Sequence, residues 1–289
     1  MQRQTSETTD PHAGKDLGQQ RFALTPTLLD DYYRGLDIDP TWYRRHSPAE
    51  GQLGPSMSVA KVDEIFRGWM FKNSFGTLWM RQEWELERQI VADEVYDAAS
   101  RVVDVYEHRG RTVSVHEVTL RTLDGLPVAT GRHHQSFLLT QSAGKVNLRE
   151  PESKEGARRF VVPDGEVVAP VTHTITLELC GMFFHGGANY HTESKSAEKL
   201  GFENVVVGGC MPLGYLGDLL DKRFGAGWYE GGRLDLKFTN IVWPGDTLIA
   251  KGVVTERTPA GSRTKANLSV WVEKPDGTVV VVGKAVAYE

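Results

Sequence analysis

His191 is the residue of this chain best suited to exchanging a proton near neutral pH, because an imidazole titrates at about 6.5 when unperturbed. It lies in the stretch Phe183-Phe184-His185-Gly186-Gly187-Ala188-Asn189-Tyr190-His191-Thr192-Glu193. Asn189 can position water or a carbonyl but is no base. His185, six residues before His191, either reaches across the same loop or is a turn residue beside its glycines. Glu193 either supplies a carboxylate or caps the helix expected over Ser194-Lys195-Ser196-Ala197-Glu198-Lys199. Downstream, Gly208-Gly209-Cys210-Met211 leads into an apolar-faced segment. Small residues there leave the amides of a helix N-terminus open, which suits an oxygen on which negative charge develops. Cys210 occupies a place where thiol pKa values fall. Nucleophilic use needs a base that is not assigned to it, so its amide is the expected contribution.

The elements that must carry these residues occur twice. Gly54-Pro55-Ser56-Met57-Ser58-Val59-Ala60-Lys61-Val62-Asp63-Glu64-Ile65-Phe66 can be laid over residues 208–220, so that Met57 meets Met211 and Val59, Val62, Ile65 and Phe66 meet Leu213, Leu216, Leu219 and Leu220. Alternating, β-branched segments follow in both copies. Asp93 meets Asp246, Asp124-Gly125 meets Asp276-Gly277, and Gly131 meets Gly283. A helix followed by an antiparallel sheet, present twice, predicts an α+β chain in which the copies pair edge to edge as an internal pseudo-dimer. The expected divisions are a disordered tail over 1–20, a first unit over 21–140, a linker over 141–164 and a second unit over 165–289. By the same offset the first copy places Gly35 and Asp37 where the second has Asn189 and His191, so the pair is absent there. Trp69, Met70, Phe71, Phe75, Trp79 and Trp84 either line a pocket or form ordinary core. His133 and His134 are adjacent on a strand pattern, so they face opposite sides, and both are expected at the surface.

Composition narrows the function classes. The chain has 289 residues, 40% hydrophobic and 25% charged, with a formal charge of −5. That is the balance of a globular protein without the clustered positive field that nucleic acid requires. No apolar run is long enough to span a bilayer, no secretion segment opens the chain, and a cytoplasmic location is expected. Two cysteines, Cys180 and Cys210, form neither a disulfide framework nor a zinc cluster.

Residues 189–202 followed by Val205-Val206-Val207-Gly208-Gly209-Cys210-Met211 resemble the signature of the MaoC-like hydratase/dehydratase family: an Asn and a His on a loop, an acidic residue two after the His, a short helix ending in Gly and an aromatic, then a small-residue turn into a long helix. Leu234-Asp235-Leu236-Lys237-Phe238 and Pro244-Gly245-Asp246-Thr247-Leu248 resemble that family's closing strands. The resemblance implies two fused hot-dog domains, each a long central helix wrapped by a curved antiparallel sheet, with a degenerate first half shaping an acyl pocket. It departs at Gly187, which stands where the family's hydratase motif has Asp, and at His191, which comes one residue early.

The implied activity is that of a hydro-lyase: reversible, (R)-specific hydration of an enoyl thioester to the 3-hydroxyacyl thioester, in fatty-acid or polyketide metabolism. Catalysis is then expected from His191, Asn189, His185 and Glu193, and substrate binding from Gly187, Gly209, Cys210 and Met211. No metal and no cofactor is called for beyond the coenzyme A or phosphopantetheine of the substrate. The partners are acyl-CoA or acyl carrier protein, without nucleic acid or membrane, and a homodimer is expected. A thioesterase, or an enzyme adding another nucleophile to an enoyl thioester, and a noncatalytic acyl-thioester-binding subunit are the alternatives on this fold.

Overall fold

The computed structural model describes residues 10–49, 51–148 and 160–289. The first half runs β1 (Asp16–Ala23), α1 (Pro26–Leu36), α2 (Thr41–Arg45), a 3₁₀ helix (Ser56–Ile65), β2 (Leu78–Leu86), β3 (Val95–His108), β4 (Arg111–Arg121) and β5 (Pro127–Phe137). The second runs β6 (Glu166–Thr174), α3 (Leu177–Phe183), α4 (Ser194–Lys199), α5 (Cys210–Phe224), α6 (Ala226–Tyr229), β7 (Arg233–Phe238), β8 (Thr247–Ala260), β9 (Arg263–Glu273) and β10 (Val279–Tyr288).

All ten strands form one sheet in the order β1-β3-β4-β5-β2-β7-β10-β9-β8-β6. Reading outward from the centre, each half therefore repeats the same strand order, as two fused hot-dog units must. The matched turns are real. Gly125 (φ +89°) and Gly277 (φ +84°) close the β4–β5 and β9–β10 hairpins in the left-handed region that glycine adopts without strain. The halves join where β2 pairs antiparallel with β7, Gln82 lying opposite Leu236. The Arg81 guanidinium spans that seam, donating to both carboxylate oxygens of Asp235 at 2.7 Å and to Glu83 at 2.8 Å.

The helices differ between the copies. α5 is buried along most of its length, from Met211 through Asp221, and two glycines admit the first copy onto it. A Cβ on Gly214 would stand 2.5 Å from Leu36 of α1, and one on Gly217 would stand 2.6 Å from Met57. Tyr43 donates to Asp218 and lies 2.9 Å from Asp221 as well, which fastens α2 to the same helix. Among the described residues the first copy has the 3₁₀ helix in place of a long central helix. Val59, Val62 and Ile65 recur every third residue, the period of a 3₁₀ helix, and the segment ends at extended Phe66 before Gly68 at φ +92°.

The expected divisions shift in detail. β1 begins at Asp16, inside the expected tail, and pairs with β3; residues 1–9 lie outside the described residues. Residues 149–159 of the expected linker also lie outside them. Within its first part, Val146 is buried against Phe75, Ala197, Phe202 and Val206 rather than crossing an open surface. Gly35 is not the counterpart of Asn189. Thr25 and Thr176 both cap their helices through the side-chain oxygen, so α1 corresponds to α3 and the loop carrying His191 has no equal-length partner. His133 and His134 do face opposite sides, but each is only 7% exposed, so their expected surface placement is wrong.

Gly35 sits where α1 crosses α3, and an added Cβ would come 2.5 Å from the Cα of Phe183. Because that neighbour is backbone, Gly35→Ala is expected to destabilise the chain by about 1–3 kcal/mol. Urea unfolding checks this, and an unmoved midpoint contradicts the close crossing.

Candidate active site

The loop between α3 and α4 is folded by its own polar groups. Asn189 Oδ1 accepts from the His191 amide at 2.8 Å, and its Nδ2 donates to the Gly187 carbonyl at 3.1 Å. Thr192 Oγ1 donates to the same carbonyl at 2.8 Å and accepts from the Asn189 amide at 3.0 Å. Asn189 and Gly187 thus shape the turn that presents His191; neither lines the cavity. His191 does. Its ring stacks on Phe184 at 4.5 Å and leans on Tyr190 at 3.8 Å. Its Nδ1 lies 2.7 Å from the Val206 carbonyl. A carbonyl only accepts, so Nδ1 carries the proton and Nε2 is left as the basic atom. Burial pulls the His191 pKa down to about 4, aided by the positive charge of Lys61 and opposed by the Val206 bond. The ring is therefore neutral at ordinary pH.

The cavity beside it has a volume of about 240 Å³ and lies between the two copies. The second copy contributes Phe184, His191, Val206 and the opening of α5 at Gly208, Gly209 and Cys210; the first contributes Lys61, Asp63, Trp69, Trp79, His133 and Gln135. Both glycines at the opening are sites of close approach. A Cβ on Gly208 would stand 2.4 Å from the Phe184 ring, and one on Gly209 would stand 2.7 Å from Trp79. Phe184 carries His191 on its face, and Trp79 carries His133 at 4.3 Å and 11°. Cys210 lines the cavity as a thiol, since burial pushes its pKa up to about 12. Met211 is fully buried with its Sδ 3.8 Å from Cys180 Sγ, so it belongs to the core and not to the cavity wall.

His185 and Glu193 stand apart from His191's cavity edge. His185 adopts φ +59° and pairs through Nδ1 with Asp31 at 2.7 Å, while its Nε2 is 3.6 Å from Glu64. Glu193 is exposed at the cap position of α4, where its carbonyl receives the Ser196 and Ala197 amides and its carboxylate receives the Ser196 hydroxyl at 2.9 Å.

One buried cluster was not anticipated. Asp63 receives His116 Nε2 on one oxygen and His133 Nδ1 on the other, each at 3.2 Å. The His133 Nε2 continues to Gln135 at 2.8 Å, which donates to Thr77 at 2.6 Å. Burial alone would raise the Asp63 pKa, but the two imidazoles hold it well below the usual carboxylate range. One atom from each of Asp63, His116 and His133 lies within 4.8 Å of the others, the composition of a two-histidine, one-carboxylate metal set. A ligating His116 would carry its proton on Nδ1, and that atom is buried with no acceptor among the described residues. The cluster is better described as a carboxylate holding two rings, with His133 clamped under Trp79. Of the expected aromatics, Trp69 and Trp79 line the cavity; Trp84 is buried in the shared core, Phe75 in the smaller cluster, and Phe71 packs on Phe137.

No protein-family model and no curated protein matches the sequence. Solved structures do match the fold. One described as a MaoC-like dehydratase is 13% identical, with a TM-score of 0.71 over 95% of this chain and 98% of the other. A MaoC-like dehydratase from Phytophthora capsici is 15% identical, with a TM-score of 0.67 over 98% and 96%. A Mycobacterium tuberculosis protein described as having a double hot-dog fold is 10% identical, with a TM-score of 0.57 over 97% and 99%. The chain is thus a double hot-dog with the architecture of the MaoC-like dehydratases. No helix among the described residues is long and apolar enough to cross a membrane.

Two outcomes follow from this geometry. In an NMR titration His191 is expected to stay neutral from pH 8 down to about 5 and to protonate near 4; a midpoint at or above the free value of about 6.5 contradicts its enclosure. Gly208→Ala is expected to displace Phe184 and with it the His191 ring, shifting the ring resonances while the chain stays folded; unperturbed resonances contradict the contact.

Proposed function

We propose that this chain is a hydro-lyase that reversibly adds water to an enoyl thioester of coenzyme A or acyl carrier protein. The observation that carries this reading is a neutral imidazole, fixed in one tautomer by Val206, on the wall of a largely apolar cavity that also holds the open end of α5. In the hydration direction Nε2 of His191 takes a proton from water as the water oxygen bonds the β-carbon. The electron pair of the double bond moves toward the thioester oxygen, which the positive end of α5 at Gly209 and Cys210 favours. The imidazolium then returns the proton to the α-carbon, so the enzyme ends unchanged, and dehydration is the reverse.

A conjugate acid titrating near 4 is a strong donor toward carbon, which suits the second step, and a base of that pKa loses activity only when pH falls through that value. The rate is therefore expected to be flat from neutral pH to about 5 on the acid side. One base serving both steps also removes the need for a carboxylate at Gly187. Asn189 acts in this reading by holding the loop. A cytoplasmic homodimer taking acyl-CoA or acyl carrier protein remains part of the proposal.

Hydration of crotonyl-CoA, followed as loss of the conjugated thioester absorbance, tests the reading. His191→Ala is expected to lower turnover by about 10²–10⁴-fold with the fold retained. Unchanged turnover removes His191 from the mechanism, and release of free thiol in place of hydration assigns a thioesterase instead.

A further inference from the structure

Lys61 is a charged residue in an unusual place. It lies on the 3₁₀ helix of the first copy, is only 3% exposed, and lines the same cavity as His191 and Cys210 of the second. Its Nζ donates to Glu64 Oε1 and to the Phe183 carbonyl, both at 2.9 Å. It stands 3.9 Å over the Phe183 ring and 5.5 Å from that of Phe184, the plate on which His191 rests. An ammonium has three N–H donors. Two are engaged, and among the described residues no acceptor is placed for the third.

The counter-charge, Glu64, lines the cavity as well and adds to the rise at Cys210. Glu64 is 44% exposed and continues outward through His185 to Asp31. The cation is thus partly neutralised by a carboxylate that faces both solvent and cavity, and keeps one N–H unspent. Its field reaches both groups that matter there, lowering the proton affinity of His191 and opposing the rise at Cys210. A lysine serving only to hold the Phe183 carbonyl would need neither a place in the cavity wall nor an unspent donor.

We propose that Lys61 is a catalytic residue whose free N–H, beside the open end of α5, donates to the thioester oxygen as it becomes an enolate. No proton leaves the lysine; it supplies charge where charge develops. The acid–base group and the electrostatic group then come from different copies, with His191 from the second and Lys61 from the first. The proposal rests on the hydro-lyase reading for its natural reaction, but its probe does not.

That probe is acetoacetyl-CoA, a thioester that ionises to a conjugated enolate with its own near-ultraviolet band. Saturating the protein with it at neutral pH is expected to raise that band, and Lys61→Met to reduce it by about tenfold or more, with the calorimetric Kd changed less than about threefold. Lys61→Gln, which keeps donors to Phe183 without the charge, is expected to show the same loss if Lys61→Met unfolds. For crotonyl-CoA, kcat is expected to fall by about 10²–10³-fold with KM little changed. No enolate band with the unaltered protein, or a band that survives both substitutions, overturns the proposal. A Lys61-dependent band without hydration sustains it and removes the hydro-lyase reading; hydration indifferent to Lys61 does the reverse.

Discussion

The backbone of Gly208 and Gly209 leaves no room for a side chain, and that constraint arranges the whole cavity. Phe184 closes on one glycine and Trp79 on the other, and each ring carries an imidazole on its face. The open end of α5 is therefore held between two aromatic plates. One comes from the loop after α3 and the other from β2, so the cavity exists only because both halves share one sheet. The faces that close on this end are aromatic rings, which lowers the dielectric where an oxyanion would form.

Of the charged side chains that line this space, Lys61 and Asp63 are buried, and each is handled differently. Asp63 is buried and answered from within the fold by His116 and His133, so its charge is spent on holding rings in place. Lys61 is buried and answered by Glu64, a half-exposed carboxylate, so one of its N–H groups is left without an acceptor among the described residues. Both sit on the same short 3₁₀ helix, two residues apart. The first copy's departure from a long α-helix is what allows this segment to present polar side chains to the cavity instead of a continuous apolar face.

Much of this was legible in the sequence. The small-residue turn into α5, the two hairpin glycines and the repeat that relates the halves are local signals, written in residue types that only certain backbones tolerate. The position of His191 was legible for the same reason. The roles of His185 and Glu193 were not, because whether a polar side chain faces the cavity depends on where Asp31, Glu64 and Ser196 lie in space. The Asp63 cluster shows the other limit. Counting outward from the turn at Asp124-Gly125 pairs His116 with His133 across the hairpin, a signal present in the sequence. That Asp63 would reach both rings from a different element was not. Gly35 illustrates a third failure: a single offset carried from the helices back to the preceding loop ignored a difference in loop length.

The seam between β2 and β7 carries a consequence for how the molecule can change over time. Trp84 lies opposite Gly131 and Leu236 opposite Gly283, so with those glycines matched Glu83 corresponds to Asp235 and Arg81 to Arg233. Glu83 also lies directly opposite Asp235 at the seam, so two carboxylates meet on the axis that relates the halves, a contact that repels unless a cation answers it. Arg81 bonds both of them, whereas its counterpart Arg233 pairs with Glu85 instead. Change is therefore constrained in one half only: without the guanidinium at position 81 two carboxylates would face each other unanswered, while position 233 carries no such duty.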